Sequence, residues 1–409
     1  MRAPQYWRTP AAYWLSVGAF VAGMGLVAVA GGSAVAQAEP AQPANHAHAA
    51  GVVRKGADSS RMAAPAAASD QRHPTRATAL VTPNLLVAAG ARRAAAVGPV
   101  PVADNQTVPY ADWAQDLHLF TGHPSILATL AAPVLRLVGP IERFATSTPP
   151  WFTTIGLRTT QNQSQGMAVW TLSGASPSGK YVVAIHGGGY RSDPTPFHWL
   201  TYAAMARKTG ATVVVPMYPL VSQGGTAQTV VPEMTDFLTS MVSQYGSDNV
   251  SVIGDSAGGG LALAAVQEMV RAGTAPPGHM VLLSPWLDIA LSDPAIQLID
   301  DPVASALIPG LKSTGQSWAG SLAVTDPWVS PLYGSLQRLP PTTVYAGSRD
   351  VAAADALRLR DQAIAQGVDI RFVLRAGEFH DWPISTPLPD AINAMQAVYR
   401  QLGISRSRR

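Results

Sequence analysis

Residues 250–260 run Val250-Ser251-Val252-Ile253-Gly254-Asp255-Ser256-Ala257-Gly258-Gly259-Gly260. The apolar, β-branched start reads as a buried strand. It runs into Gly-Asp-Ser-Ala-Gly, and an Ala/Leu-rich helical segment follows at once, roughly from Ala257 to Arg271. Strand, G-x-S-x-G and helix in that order form the setting a nucleophile elbow needs. So tight a turn leaves no room for a Cβ at Gly254 or Gly258. Ser256 then stands at the apex with its hydroxyl exposed. The Ala257 amide lies at a helix N-terminus, whose partial positive charge suits a developing oxyanion. The pentapeptide alone is a weak signal, expected by chance about 0.2 times in a chain this rich in glycine. A flexible glycine turn with a bystander serine has the same letters. Motifs on either side decide between the two.

Upstream, His186-Gly187-Gly188-Gly189-Tyr190 stands at the end of a predicted strand. Successive glycines let backbone N–H groups point into a cavity with no side chain in the way. The amides of Gly187 and Gly188 are expected to join that of Ala257 as an oxyanion hole. His186 is expected to hold the loop rather than act as a base. Downstream, Val344-Tyr345-Ala346-Gly347-Ser348-Arg349-Asp350 is a strand running into a polar turn, and Ala376-Gly377-Glu378-Phe379-His380-Asp381-Trp382 follows another strand. The order Ser256, Asp350, His380 is the one expected of a triad mounted on successive strand ends of an α/β-hydrolase. His380 would take the Ser256 proton and return it to the leaving group, and Asp350 would hold the imidazole and stabilise its charged form. Asp288 and Asp326, in an irregular stretch, could supply the acid instead. Glu378 could orient His380, at short reach. Asp381 is expected not to fold back onto its neighbour's ring, and Asp255 to be a structural acceptor.

Around these motifs strands and helices alternate. Strands are predicted at Tyr181–His186, Ala211–Tyr218, the elbow, Met280–Ser284, Thr342–Ala346 and Asp369–Leu374, with helices at Phe197–Thr209, Val230–Tyr245, Ala354–Gln366 and Leu388–Leu402. From Trp151 to Leu172 the pattern is strand-like, with turn residues at Gln161–Gly166, as for an antiparallel edge. Apolar strands separated by amphipathic helices predict an α/β fold with a mostly parallel eight-stranded sheet and helices on both faces.

The chain has 409 residues, 47% hydrophobic and 13% charged, with a formal net charge of +3. No stripe of basic residues interleaved with aromatics supports nucleic-acid binding. The absence of cysteine excludes disulfides, thiolate nucleophiles and cysteine-based metal sites, and is compatible with an oxidising exterior. Residues 1–36 read as an export signal: a weakly basic start at Arg2 and Arg8, an uncharged apolar run over 11–32, and small residues at Ala34-Val35-Ala36 before Gln37. The run is long for a signal, so an uncleaved membrane anchor is the rival reading. Residues 37–106 are Ala/Pro-rich without apolar period and read as a disordered spacer. The catalytic domain is expected over 107–409, with the protein secreted or held at the cell surface. His46 and His48 lack a third ligand nearby, so no metal site is expected there.

The His186–Tyr190 and Gly254–Gly259 motifs, with Asp326-Pro327-Trp328-Val329-Ser330-Pro331-Leu332 ahead of Leu339-Pro340-Pro341-Thr342, resemble the hormone-sensitive-lipase-like esterases of the α/β-hydrolase superfamily. The resemblance covers roughly residues 108–409. It implies a carboxylic ester hydrolase with Ser256, Asp350 and His380 as triad and no cofactor. It also implies a cap built from about 108–145 and 286–339, and a preference for short to medium acyl chains. Pro216-Met217-Tyr218-Pro219-Leu220 departs from the family's usual D-Y-R-L-A-P-E, which bears on substrate shape. A small-molecule or lipid ester is the expected partner, with membrane or envelope association through residues 11–32. An acyltransferase using the same triad, or an inactive lipid-binding module, remains an alternative from sequence.

Overall fold

The computed structural model describes residues 116–122, 129–130, 132–133, 135–136, 141–385 and 388–405. The expected signal or anchor, the spacer, the His46/His48 pair and much of the N-terminal cap segment lie outside those residues.

Eight strands form one sheet: β1 (Arg158–Ser164), β2 (Met167–Ser173), β3 (Tyr181–Ile185), β4 (Thr212–Met217), β5 (Val250–Asp255), β6 (His279–Leu283), β7 (Thr342–Arg349) and β8 (Ile370–Phe379), in the order β1-β2-β4-β3-β5-β6-β7-β8. β1, β2 and β4 pair antiparallel, and the rest are parallel. The principal helices are α1 (Pro196–Thr209), α2 (Ala227–Tyr245), α3 (Ser256–Arg271), α4 (Ile308–Ala319), α5 (Ala353–Gln366) and α6 (Pro389–Gln401). Strict alternation along the strands feeds two cores. Val183 and Ile185 of β3, Val252 of β5 and Val344 of β7 face the layer of α2, α3 and α5. Val182 and Ala184, Ile253 and Tyr345 face α1 and α6. Burial on both faces is why these strands are apolar at every position.

Four predicted boundaries shift, each for a physical reason. Trp151–Thr153 is a 3₁₀ turn, not a strand, because Pro150 sets the entry at φ −60° and the Thr153 amide closes onto the Pro150 carbonyl. Gln161–Ser164, read as turn residues, are paired in β1. An exposed edge strand carries polar side chains, and the actual turn is Gln165-Gly166, both at positive φ. α2 begins three residues before Val230, at Ala227, where the Thr226 amide donates to Thr229 Oγ1; the amphipathic pattern shows only from the first apolar turn. β7 and β8 both run past their predicted ends, to Arg349 and Phe379, through a register shift at Gly347/Arg349. The polar residues near that shift hid the continuation.

Between β6 and β7 the insert holds α4 and short 3₁₀ turns. Upstream, Leu117–Leu119 is a 3₁₀ turn. The next residues run alongside β8, with the Thr121 amide donating to Leu374 O and the Ala376 amide to Thr121 O. Among the described residues no helix is long and apolar enough to cross a membrane.

Candidate active site

β5 delivers Ser256 into the first turn of α3 at φ +49°, a strained left-handed backbone for a residue with a side chain. What holds it there is crowding. A Cβ at Gly258 would overlap the Ile185 carbonyl and lie 2.5 Å from that of His186. One at Gly254 would overlap the Gly258 carbonyl and lie 2.9 Å from the Gly259 nitrogen. These contacts are with backbone, which cannot swing aside. The Ser256 carbonyl is fixed in turn by the Trp286 amide at 2.9 Å. Backbone strain of this kind persists only where its surroundings over-determine it.

The hydroxyl of Ser256, half-buried, lies 2.9 Å from His380 Nε2, and His380 Nδ1 lies 2.8 Å from Asp350 Oδ1. With a carboxylate facing Nδ1, the proton sits on Nδ1 and the Nε2 lone pair faces the serine, the tautomer a general base requires. Asp350 is fully buried, and Oδ1 also accepts from the Ala352 amide at 2.9 Å, which fixes its rotamer. The structure therefore brings Ser256, His380 and Asp350 together as the sequence predicts.

The glycine loop is arranged differently from expectation. The Gly187 amide donates to Asp255 Oδ2 at 2.9 Å, so it is already spent and does not face the serine as a free donor. The reason is Asp255 itself. Its carboxylate is buried and takes a second hydrogen bond from His198 Nε2 at 2.8 Å. His198 Nδ1 accepts from the Thr195 amide at 3.0 Å, which places the ring proton on Nε2, toward Asp255. Asp255 is thus a structural acceptor, as predicted, and it ties β5, the glycine loop and α1 together. Gly188 and Gly189, both at positive φ, follow in the loop, and their amides meet no protein acceptor among the described residues. Ala257 lies at the N-terminus of α3. His186 is a loop anchor: Nδ1 binds the Gly187 carbonyl at 2.7 Å, the ring stacks on Tyr218, and burial pushes its pKa down to about 4. It is neutral at ordinary pH.

The alternative acids are engaged elsewhere. Asp288 is buried in a network with Arg358 at 3.0 Å and the Ala290 amide at 3.1 Å. Asp326 caps its own turn, accepting from the Trp328 amide at 2.9 Å. Glu378 is pushed up to about 7, by burial first and then by Asp390. Asp381 corrects an expectation. At φ +57° its backbone turns back, and Oδ2 reaches 3.5 Å from His380 Nε2, an ion-pair contact on the serine side of the ring. Burial alone would lower the His380 pKa, but the carboxylates of Asp381 and Asp350 outweigh it and hold the imidazole well above its usual range.

A family profile described as the α/β-hydrolase fold matches residues 182–384. A triacylglycerol lipase of Mycobacterium tuberculosis is 45% identical over 279 residues, which is 67% of this chain and 59% of that relative. The chain thus spans less than two thirds of that lipase's length. An acetyl-hydrolase of Streptomyces hygroscopicus is 27% identical over 54% of this chain and 75% of its own. Among solved structures, a Staphylococcus aureus protein described as a candidate esterase superposes with TM-score 0.59 at 26% identity, covering 66% of this chain and 91% of that one. An esterase of the bacterial hormone-sensitive lipase family superposes with TM-score 0.57 at 21% identity over 73% of this chain and all of its own, a likeness of fold.

Proposed function

We propose that this chain, which has the α/β-hydrolase fold, belongs to the hormone-sensitive-lipase-like esterases and hydrolyses carboxylic esters through an acyl-enzyme on Ser256. The observation that carries this reading is the hydrogen-bonded series Ser256 Oγ, His380, Asp350, with spacings of 2.9 and 2.8 Å. His380 Nε2 accepts the serine proton as Oγ attacks the ester carbonyl. The oxyanion is received by the amides of Gly188, Gly189 and Ala257, with Gly187 withheld by Asp255. Imidazolium returns the proton to the leaving alcohol, and a water then repeats the sequence on the acyl-enzyme. No step needs a cofactor.

The lipase and acetyl-hydrolase among the relatives support an acyl ester as substrate. The insert between β6 and β7 supplies the neighbour of the glycine loop: a Cβ on Gly189 would lie 2.7 Å from Leu311 Cδ2 of α4. This supports the reading of residues 286–339 as part of a cap. The reading of residues 1–36 as an export signal or anchor adds a secreted or envelope location. Ser256→Ala should lower hydrolysis of a p-nitrophenyl ester by about 10³-fold or more, with the circular dichroism spectrum unchanged. Undiminished turnover would refute the assignment.

A further inference from the structure

We propose that Asp301, in the insert between β6 and β7, is a positioning residue for the triad whose carboxylate backs His380 and Asp350 and helps hold the imidazolium formed as Ser256 attacks. The proposal rests on the ester hydrolase reading above.

Asp301 comes from a part of the chain with no triad member, yet its carboxylate arrives at the triad. One of its oxygens, an oxygen of Asp350 and a ring nitrogen of His380 all lie within 4.8 Å of one another. Asp301 and Asp350 are both buried, so water does little to screen their charges from the ring. The position is built, not incidental. Asp301 Oδ1 accepts from the amides of Val303 at 2.9 Å and Ala304 at 3.2 Å. Its Oδ2 accepts from the amide of Val351, the residue after the acid, at 3.1 Å. One carboxylate therefore fastens the insert to the acid loop. Next to it, Arg349 donates to the Asp300 carbonyl at 3.2 Å and to its carboxylate at 3.3 Å, a second stitch between the same two segments.

Burial pushes the Asp301 carboxyl up and the neighbouring Asp350 adds to this, while the facing His380 and the backbone donors of Val303 and Val351 favour its ionised form, with a net shift up to about 6. Above that value it is charged, and a charge so placed favours the protonated ring. The groups facing it are His380 and Asp350. Beyond them are Asp381, which touches His380 on the other side, and the exposed Asp300 held by Arg136 and Arg349. Asp350 Oδ2 meets no hydrogen-bond donor among the described residues, and Asp350, Asp381 and Asp301 all act on the one imidazole.

The sign of the effect follows. An ionised Asp301 raises the pH at which His380 gives up its proton, and only the neutral ring accepts from Ser256. Removing the charge moves the acidic limb of kcat/KM to lower pH. It also weakens support for the imidazolium, so kcat falls, by about 10-fold, with KM little changed. A residue that merely props the loop would lower kcat and leave the limb where it was.

The test compares the wild-type chain with Asp301→Asn and Asp301→Glu on a soluble p-nitrophenyl ester across pH. The expected result is a limb displaced by at least half a pH unit in Asp301→Asn and returned toward the wild-type position in Asp301→Glu. A limb that superposes on the wild type would overturn the proposal. If the variants do not fold, the unsubstituted chain still answers, through the ¹⁵N resonances of His380 followed by NMR. Two inflections are expected, one from the ring and one near the titration of Asp301, and a single inflection would overturn the proposal. The NMR titration needs no turnover, so it separates this inference from the ester hydrolase reading, which stands or falls on Ser256→Ala.

Discussion

On the Ser256 side of the site, β3, β5 and α3 approach until oxygens occupy the space where side chains would be: backbone carbonyls at Gly254 and Gly258, and the Asp255 carboxylate at Gly187. The buried carboxylate of Asp255 is matched by two donors, the Gly187 amide and His198 Nε2. On the His380 side, by contrast, three carboxylates from three parts of the chain crowd one imidazole. They are Asp350 after β7, Asp381 beside the ring and Asp301 from the insert. Asp350 Oδ2 and Asp381 Oδ1 are buried there without hydrogen-bond partners among the described residues. The first region is fixed mainly by steric exclusion, with the hydrogen-bonded carboxylate of Asp255 tying the glycine loop in place. The second is fixed by electrostatics in a water-poor setting, where protonation states depend on one another. The contrast suits an acyl-transfer site. The nucleophile must not move, whereas the base takes up and gives back a proton twice in each turnover.

Substitutions should separate the two regions by what they disturb. The largest effect is expected from Gly258→Ala. The new methyl meets the carbonyls of Ile185 and His186, neither of which can rotate away. A loss of about 3 kcal/mol or more is expected, against the 1–3 kcal/mol typical of an overpacked core. The urea midpoint and soluble yield would show it. A midpoint within error of the wild type would mean the elbow is looser than its contacts indicate. A smaller and different effect is expected from Asp381→Asn at the other side. Because its carboxylate favours the protonated His380, the acidic limb of wild-type kcat/KM should lie above pH 6.5 and move to lower pH in the variant. The urea midpoint should stay close to wild type. A limb already at the ordinary histidine value in the wild-type chain would break the contrast on this side.

The same division explains what could be read from the letters. The elbow was legible because its constraint is local: glycine at two fixed positions around one serine, between a β-branched run and a helix. The triad order and the parallel strands were legible because each triad residue follows a strand end and each strand is a short apolar run between turn residues. Three features were not. The commitment of the Gly187 amide to Asp255 depends on His198 arriving from α1, and no spacing announces it. The return of Asp381 depends on a left-handed backbone at a residue that is not glycine. Asp301 sits in an insert without apolar period, where Asp288 and Asp326 look equally available. Only tertiary structure shows that Arg358 and the Ala290 amide occupy Asp288 while the amide of Val351 draws Asp301 to the acid. β1 was misread for a related reason, since an exposed edge strand has the composition of a turn.

The most direct measurement is to treat the native chain with a fluorophosphonate, digest it, and locate the adduct by mass spectrometry. A single adduct on Ser256, formed in the native chain and absent when His380 is replaced by alanine, is the expected result. An unmodified Ser256 in a chain that is turning over ester, or an adduct on another serine, would contradict the triad outright.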